Sequence, residues 1–233
     1  MAEPRHAPRA VLLDALGTLV DLDDPVGGLL RALSARGVEA DPRAVGAALQ
    51  VEIDHYRAEH HVAVDAASLA RLRQDCAAVF GAALGAPVAG LAPQALHDAL
   101  LEGLRFRVFD DVVPALTALR AGGSRLAVVS NWDVSLHEVL ATTGLTPWFD
   151  VVLTSAQEGT AKPEPGLFLR ALEQLGGIDP SAALHVGDDL VADVAGARAA
   201  GVEPVLLDRA GTAGDAGGAR VIRTLTGLPG AAT

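Results

Sequence analysis

Seven side chains in this sequence have the chemistry to build one reaction centre: Asp14, Ser130, Asn131, Lys162, Asp188, Asp189 and Asp193. A carboxylate can attack an electrophile or hold a hard cation. A hydroxyl with neighbouring backbone N–H groups can cradle an oxyanion, and an ammonium group can neutralise charge that develops during reaction. Lys162 is the only lysine; the other 17 of the 18 basic residues are arginines. Where arginine prevails, a retained lysine suggests a need for a compact point charge, which the guanidinium fork does not supply. Carboxylates, a hydroxyl and one ammonium together suit a divalent cation and a phosphate. Mg²⁺ in particular takes hard oxygens, usually one or two carboxylates with water and substrate phosphate.

These residues are far apart in sequence, so secondary structure must gather them. Residues 10–13 are an uninterrupted apolar run that stops at Asp14, with Gly17 just beyond. Such a run is what a strand buried on both faces looks like. Residues 125–129 repeat the pattern and end at Ser130 and Asn131; residues 183–186 end at Gly187, with Asp188 and Asp189 beyond. Further strands are expected over 151–154, 205–207 and 221–225. Helical patterns over 113–120, 136–143, 166–175 and 191–200 separate them, with glycine stops at Gly122, Gly144 and Gly201. Strands alternating with helices specify an α/β fold with a parallel sheet between helical layers. Ligands of such sheets bind beyond the carboxyl ends of the strands, where these polar residues fall. Lys162 lies in the loop before the 166–175 helix.

The chain between about 21 and 108 reads differently. Leu29, Leu30 and Leu33 have helical spacing, as do Val45, Ala48, Leu49 and Glu52. Leu69, Leu72, Ala77, Val79 and Phe80 form a third set, and Leu96, Leu100 and Leu104 a fourth. The segment is expected to be helical throughout. Within it, His55, Tyr56, His60 and His61 lie on one helical stretch, and Cys76 reads as a packing residue.

Four segments in order now acquire a joint meaning: LLDALGTLV at 12–20, VVSN at 128–131, KPEPGLF at 162–168 and HVGDDLVADVAGARAAG at 185–201. The sequence resembles the haloacid dehalogenase superfamily of hydrolases over nearly its whole length. The resemblance implies a Rossmann-like core, 1–20 and 109–233, with an inserted helical cap, 21–108. It implies that Asp14 is a nucleophile forming an aspartyl-phosphate, and that Mg²⁺ is held by Asp14, the main-chain carbonyl of Leu16 and Asp188. Ser130 and the backbone near Asn131 would bind phosphoryl oxygens, Lys162 would neutralise charge, and Asp189 and Asp193 would support from outside.

One position departs from the family's phosphatase pattern. Phosphatases of the family carry a second aspartate two residues after the nucleophile, and here that residue is Leu16. Leucine transfers no proton, and general acid–base catalysis is worth roughly 10²–10⁴-fold. Three functions therefore stay open. The first is a phosphatase of reduced efficiency on simple alkyl esters. The second is a 2-haloacid dehalogenase, whose halide leaves without a proton. The third is a non-catalytic relative that binds a phosphorylated ligand or a partner protein. The GDDLVAD segment favours the first over the second. His185, on a strand, reads as a packed core residue.

Composition narrows the setting. The chain has 233 residues, 50% of them apolar and 20% charged, enough for a real core. Its net charge of −11 repels phosphate backbones and argues against nucleic-acid binding. No apolar run reaches the roughly 18 residues of a membrane span. A single cysteine excludes an internal disulfide. The expectation is a cytoplasmic protein acting on a small phosphorylated metabolite, with no membrane partner; oligomeric state is left open.

Overall fold

The computed structural model describes residues 8–228 and Gly230. In chain order, β1 (Ala10–Leu13) and β2 (Val20–Leu22) come first. Four helices follow: α1 (Pro25–Ser34), α2 (Pro42–Glu59), α3 (Ala66–Leu84) and α4 (Pro93–Gly103). Then come β3 (Phe106–Val108), α5 (Val112–Ala121), β4 (Arg125–Ser130) and α6 (Leu136–Thr142). After these run β5 (Val151–Thr154), the single turn α7 (Ser155–Glu158), α8 (Gly166–Gln174) and β6 (Ala183–Gly187). A π-helical segment, Leu190–Ala195, leads into α9 (Gly196–Ala199), and β7 (Glu203–Leu207) and β8 (Arg220–Ile222) complete the fold.

The chain divides into two compact units. One holds the residues up to Asp21, Val108–Trp132 and the chain from Leu136 onward; the other holds Leu22–Arg107 and Asp133–Ser135. The first unit is a Rossmann-like α/β domain. Its six-stranded sheet has the order β5-β4-β1-β6-β7-β8, and the paired strands run parallel. β1 sits between β4 and β6, and all four of its residues are buried. Ala10, Leu12, Ala127 and Val129 pack against Leu167, Phe168, Ala171 and Leu172 of α8. Each fully buried leucine or phenylalanine contributes about 1.5–3 kcal/mol relative to exposure. That packing fixes where each strand ends.

The register does the rest. Leu13 lies opposite Val128 of β4 and Val186 of β6. The next residue on β1's path, Asp14, donates its N–H to the Val186 carbonyl at 2.9 Å, so the ladder runs up to the acid itself.

The second unit is a helical bundle. Its interior joins Leu29 and Leu33 of α1, Val45 and Leu49 of α2, Leu72, Cys76 and Phe80 of α3, and Leu96 and Leu100 of α4. Asp41 and Asp65 start α2 and α3 by accepting backbone N–H bonds, and Asp65 with Ser68 forms a reciprocal capping box.

Three readings need correction. The expectation of no strand over 21–108 fails at its two ends, where β2 and β3 form a small two-stranded sheet. Each has only three residues and is half-buried, which is too short for an alternation to show. The 191–200 helix begins as a wider π-helical turn. The last strand is Arg220–Ile222, shifted toward the N-terminus of the expected 221–225. Among the described residues, no helix is long and apolar enough to cross a membrane.

Candidate active site

The carboxyl edge of the sheet brings Asp14, Ser130, Lys162 and Asp193 into direct contact. Ser130, the last residue of β4, donates its hydroxyl to Asp14 Oδ1 at 2.9 Å. The Lys162 Nζ donates to the same oxygen at 2.6 Å and to Asp193 Oδ1 at 2.6 Å. One ammonium therefore bridges two carboxylates, and all three side chains are almost fully withdrawn from water.

Each side chain is aimed by its own local support. Asn131 accepts from the Lys162 N–H at 2.8 Å and donates to the Lys162 carbonyl at 2.9 Å, pinning the lysine backbone by an amide-to-amide pair. It thus acts on the site through Lys162. Asp193 is held from the other side as well: His185 Nε2 lies 2.9 Å from Oδ1, and the Asp189 N–H donates to Oδ2 at 3.0 Å. A ring nitrogen facing a carboxylate is a donor, so His185 carries its proton on Nε2. Its ring packs edge-on against Phe168 with centroids 4.9 Å apart.

Two glycines let the groups approach. A Cβ on Gly187 would lie 2.0 Å from Asp193 Cγ, so only glycine admits this acid so close to the strand end. Gly17 has φ +77°, a left-handed turn, and a Cβ there would lie 2.3 Å from Asp188 Oδ2. The chain after Asp14 thus folds directly against Asp188.

The electrostatics follow from crowding. Burial alone would lower the Lys162 ammonium, but Asp14 and Asp193 overcome it and push it up to about 12. Burial would raise Asp193, yet Lys162 and His185 hold its carboxyl well below the ordinary range. Burial, with the Asp193 charge, holds the Asp14 carboxyl above its ordinary value against the pull of Lys162 and Ser130. Asp188 keeps an exposed side, but its loss of water on the inner side, with the charges of Asp14 and Asp193, pushes it up to about 7. Lys162 is already shared between two acids, so an unneutralised negative charge remains.

That surplus is where a metal fits. Carboxylate oxygens of Asp14, Asp188 and Asp193 lie within 4.8 Å of one another, the one such cluster among the described residues. Asp193 is taken up by Lys162 and His185, which leaves Asp14 and Asp188 as hard-oxygen donors suited to Mg²⁺.

Two assignments change. Asp189 contributes its backbone N–H, while its carboxylate accepts from Val191 and Ala192 N–H groups at 2.7 Å and starts the following helix. His185, read as a packing residue, is part of the polar chain Lys162–Asp193–His185. Leu16 is 39% exposed and brings no proton to the site. The sequence signal available for His185 was its place one turn of the strand pattern before Gly187-Asp188; a buried histidine inside an apolar run must find a polar partner.

Comparison with known proteins identifies the family. Residues 8–201 match the model of the haloacid dehalogenase-like hydrolases. The human haloacid dehalogenase-like hydrolase domain-containing protein 3 is 32% identical over 219 residues, covering 85% of this chain and 81% of that protein. A glyceraldehyde 3-phosphate phosphatase from Methanopyrus kandleri is 37% identical over 116 residues, 49% of this chain and 48% of that protein. The crystal structure of a HAD phosphatase from Thermococcus onnurineus superimposes with TM-score 0.62 at 27% identity, covering 93% of this chain and 94% of that one.

Proposed function

Because this chain belongs to the haloacid dehalogenase-like hydrolase family, we propose that it hydrolyses a small phosphorylated metabolite through an aspartyl-phosphate on Asp14. The observation that carries this reading is the Lys162 ammonium, 2.6 Å from both Asp14 and Asp193, with Ser130 on the same Asp14 oxygen. Both contacts fall on Oδ1, so Oδ2 is the oxygen presented for attack.

Asp14 Oδ2 attacks phosphorus in line, and the bond to the leaving oxygen breaks with its electron pair going to that oxygen. Lys162 and the Ser130 hydroxyl stabilise the charge on the phosphoryl oxygens. Water then attacks the acyl phosphate at phosphorus, releasing inorganic phosphate and restoring the carboxylate. One water is consumed, and one of its hydrogens ends on the leaving group. Asp14, the Leu16 carbonyl and Asp188 are the groups that would hold Mg²⁺, which when bound supplies positive charge to the phosphoryl oxygens. The helical unit is the cap that sets substrate choice. A reducing cytoplasm suits the free, buried thiol of Cys76.

Leu16 shapes the substrate class. With no acid at this position, esters of acidic alcohols, such as phenols, turn over faster than alkyl phosphates. The same absence favours a second reading, displacement of halide from carbon by Asp14. The Asp188 carboxyl beside Asp14 supports the phosphatase, since two clustered acids repel without a cation between them.

The test is turnover of p-nitrophenyl phosphate and an alkyl phosphate with and without Mg²⁺, beside chloride release from 2-chloropropionate. We expect Mg²⁺-dependent release of p-nitrophenol. Chloride release without metal would replace this reading with the dehalogenase. Phosphate binding without turnover would make the chain a binding protein. Leu16→Asp should raise alkyl phosphatase activity by about 10²-fold, at the low end of what general acid catalysis provides.

A further inference from the structure

Arg209 lies two residues after β7, outside every segment so far assigned to the site. Its donors go to three places within the α/β unit. Nε donates to the Gly17 carbonyl at 3.1 Å, and Nη2 donates to the Thr18 carbonyl at 2.7 Å. Nη1 donates to both oxygens of Asp111 at 3.0 Å. The guanidinium carbon sits 3.7 Å from the centre of the Phe109 ring, so the plane is stacked as well as bonded. Lysine could not reproduce this, because one point charge cannot span two carbonyls and a carboxylate from a fixed plane.

The partners are diverted to this purpose. Asp111 stands where an aspartate would cap the first turn of α5, yet it makes no cap bond there. Its carboxylate faces Arg209 instead and also accepts from the Leu225 N–H at 2.6 Å. The Phe109 N–H donates to the Leu19 carbonyl at 3.2 Å, tying the same segment to the far end of the loop. The loop so gripped begins at the nucleophile. Its Gly17 has no room for a side chain against Asp188, so a shift of Gly17 moves the backbone on which Asp188 rests.

We propose that Arg209 is a positioning residue that locks the 15–20 loop, and through it sets the spacing of Asp14, the Leu16 carbonyl and Asp188 needed to hold a divalent cation. The inference rests on the phosphatase reading above and names a residue that reading does not use. Arg209 touches no substrate; it acts through two carbonyls.

The experiment is isothermal titration of Mg²⁺ into metal-free wild type and Arg209→Lys, with thermal melts and p-nitrophenyl phosphate kinetics on the same samples. We expect Arg209→Lys to weaken Mg²⁺ binding about tenfold and to lower kcat by about 10–100-fold, the usual cost of losing a group that orients metal ligands. KM should stay within about threefold, because the loop does not bind substrate. Asp111→Asn, which keeps the shape and loses the ion pair, should move Mg²⁺ affinity in the same direction by less; it carries the test if Arg209→Lys does not fold. A lower melting temperature with unchanged Mg²⁺ affinity and kcat in both variants overturns the inference and leaves Arg209 a purely structural residue. Wild type that takes up no Mg²⁺ overturns the phosphatase reading and this inference with it.

Discussion

The two units handle buried polar groups in opposite ways. In the α/β unit, a parallel sheet ends several strands at one edge, and Asp14, Ser130, Lys162, Asp193 and His185 meet there in a continuous hydrogen-bonded chain. In the helical unit, the buried titratable groups Glu52, Tyr56 and Cys76 influence one another and Asp133, but no ammonium bridges them. Glu52 is pushed up by burial despite a hydrogen bond with Cys76, and the Cys76 thiol is pushed up by burial and by Glu52. His55 Nε2 is buried with no hydrogen-bond partner. Strand register fixes neighbours to within one residue, whereas helix packing fixes only which face is inside. Hydrogen-bonded ionisable groups therefore concentrate at the sheet edge of the α/β unit.

The sharpest way to break this contrast is to remove the bridge. Lys162→Met leaves Asp14 and Asp193 buried without their shared cation. We expect kcat on p-nitrophenyl phosphate to fall by about 10²–10³-fold. Stability should drop by about 3–5 kcal/mol, the usual result of orphaning a buried charge. The pH profile gives the sign. Asp193 lies below its unfolded value of 3.8, so its contribution is present above that pH and is lost as pH falls further. Lys162 is raised from 10.5 to about 12, so its contribution is present below 10.5 and is lost as pH rises through about 12. The variant should lose both limbs in urea unfolding at acid and alkaline pH. A variant with wild-type stability would mean that the bridge is not what organises this edge.

How much of this was legible in the sequence follows the same divide. Asp14, Ser130 and Asp188 could be placed because each follows closely on a short, mostly apolar strand run, and Lys162 because no other lysine competes with it. His185 was misread because a residue inside an apolar strand gives no sign of the partner, Asp193, that the next helix brings back to it. Asp189 was assigned a supporting role by the resemblance, and its carboxylate instead caps the helix it precedes. The π-helical turn after it carries Asp193 into close contact with Gly187, a tertiary placement that no local propensity records. Arg209 is one of 17 arginines, and its role depends on a contact 192 residues away in sequence. In the helical unit, spacing gave the four helices and their buried faces, but three-residue strands carry no period to read.

A smaller effect tests whether the sheet edge is built for a cation. Asp188 is raised from 3.8 to about 7, so without metal the folded state keeps a proton that the unfolded chain has released. Stability from this group is fully present below 3.8 and is lost as pH rises through about 7. Mg²⁺ must displace that proton. Its apparent affinity should therefore rise by about tenfold per pH unit below 7 and flatten above it. Titration calorimetry at pH 5.5, 6.5 and 7.5 in buffers of different ionisation enthalpy measures both the affinity and the proton released. A flat profile with no proton release would remove Asp188 from the cation site.

The smallest expected effect lies in the other unit and closes the contrast. Cys76 is buried in the helical core, where its thiol serves as a small apolar filler hydrogen-bonded to Glu52. Cys76→Ala removes one sulfur's packing and leaves the Glu52 carboxyl without that bond. We expect a loss of about 1 kcal/mol in thermal or urea unfolding, ordinary for a core truncation of this size. Turnover of p-nitrophenyl phosphate should stay within about twofold, since no reacting group changes. A fall in kcat approaching that of Lys162→Met would show that the buried polar groups of the helices take part in the chemistry, and the division of labour between the two units would no longer hold.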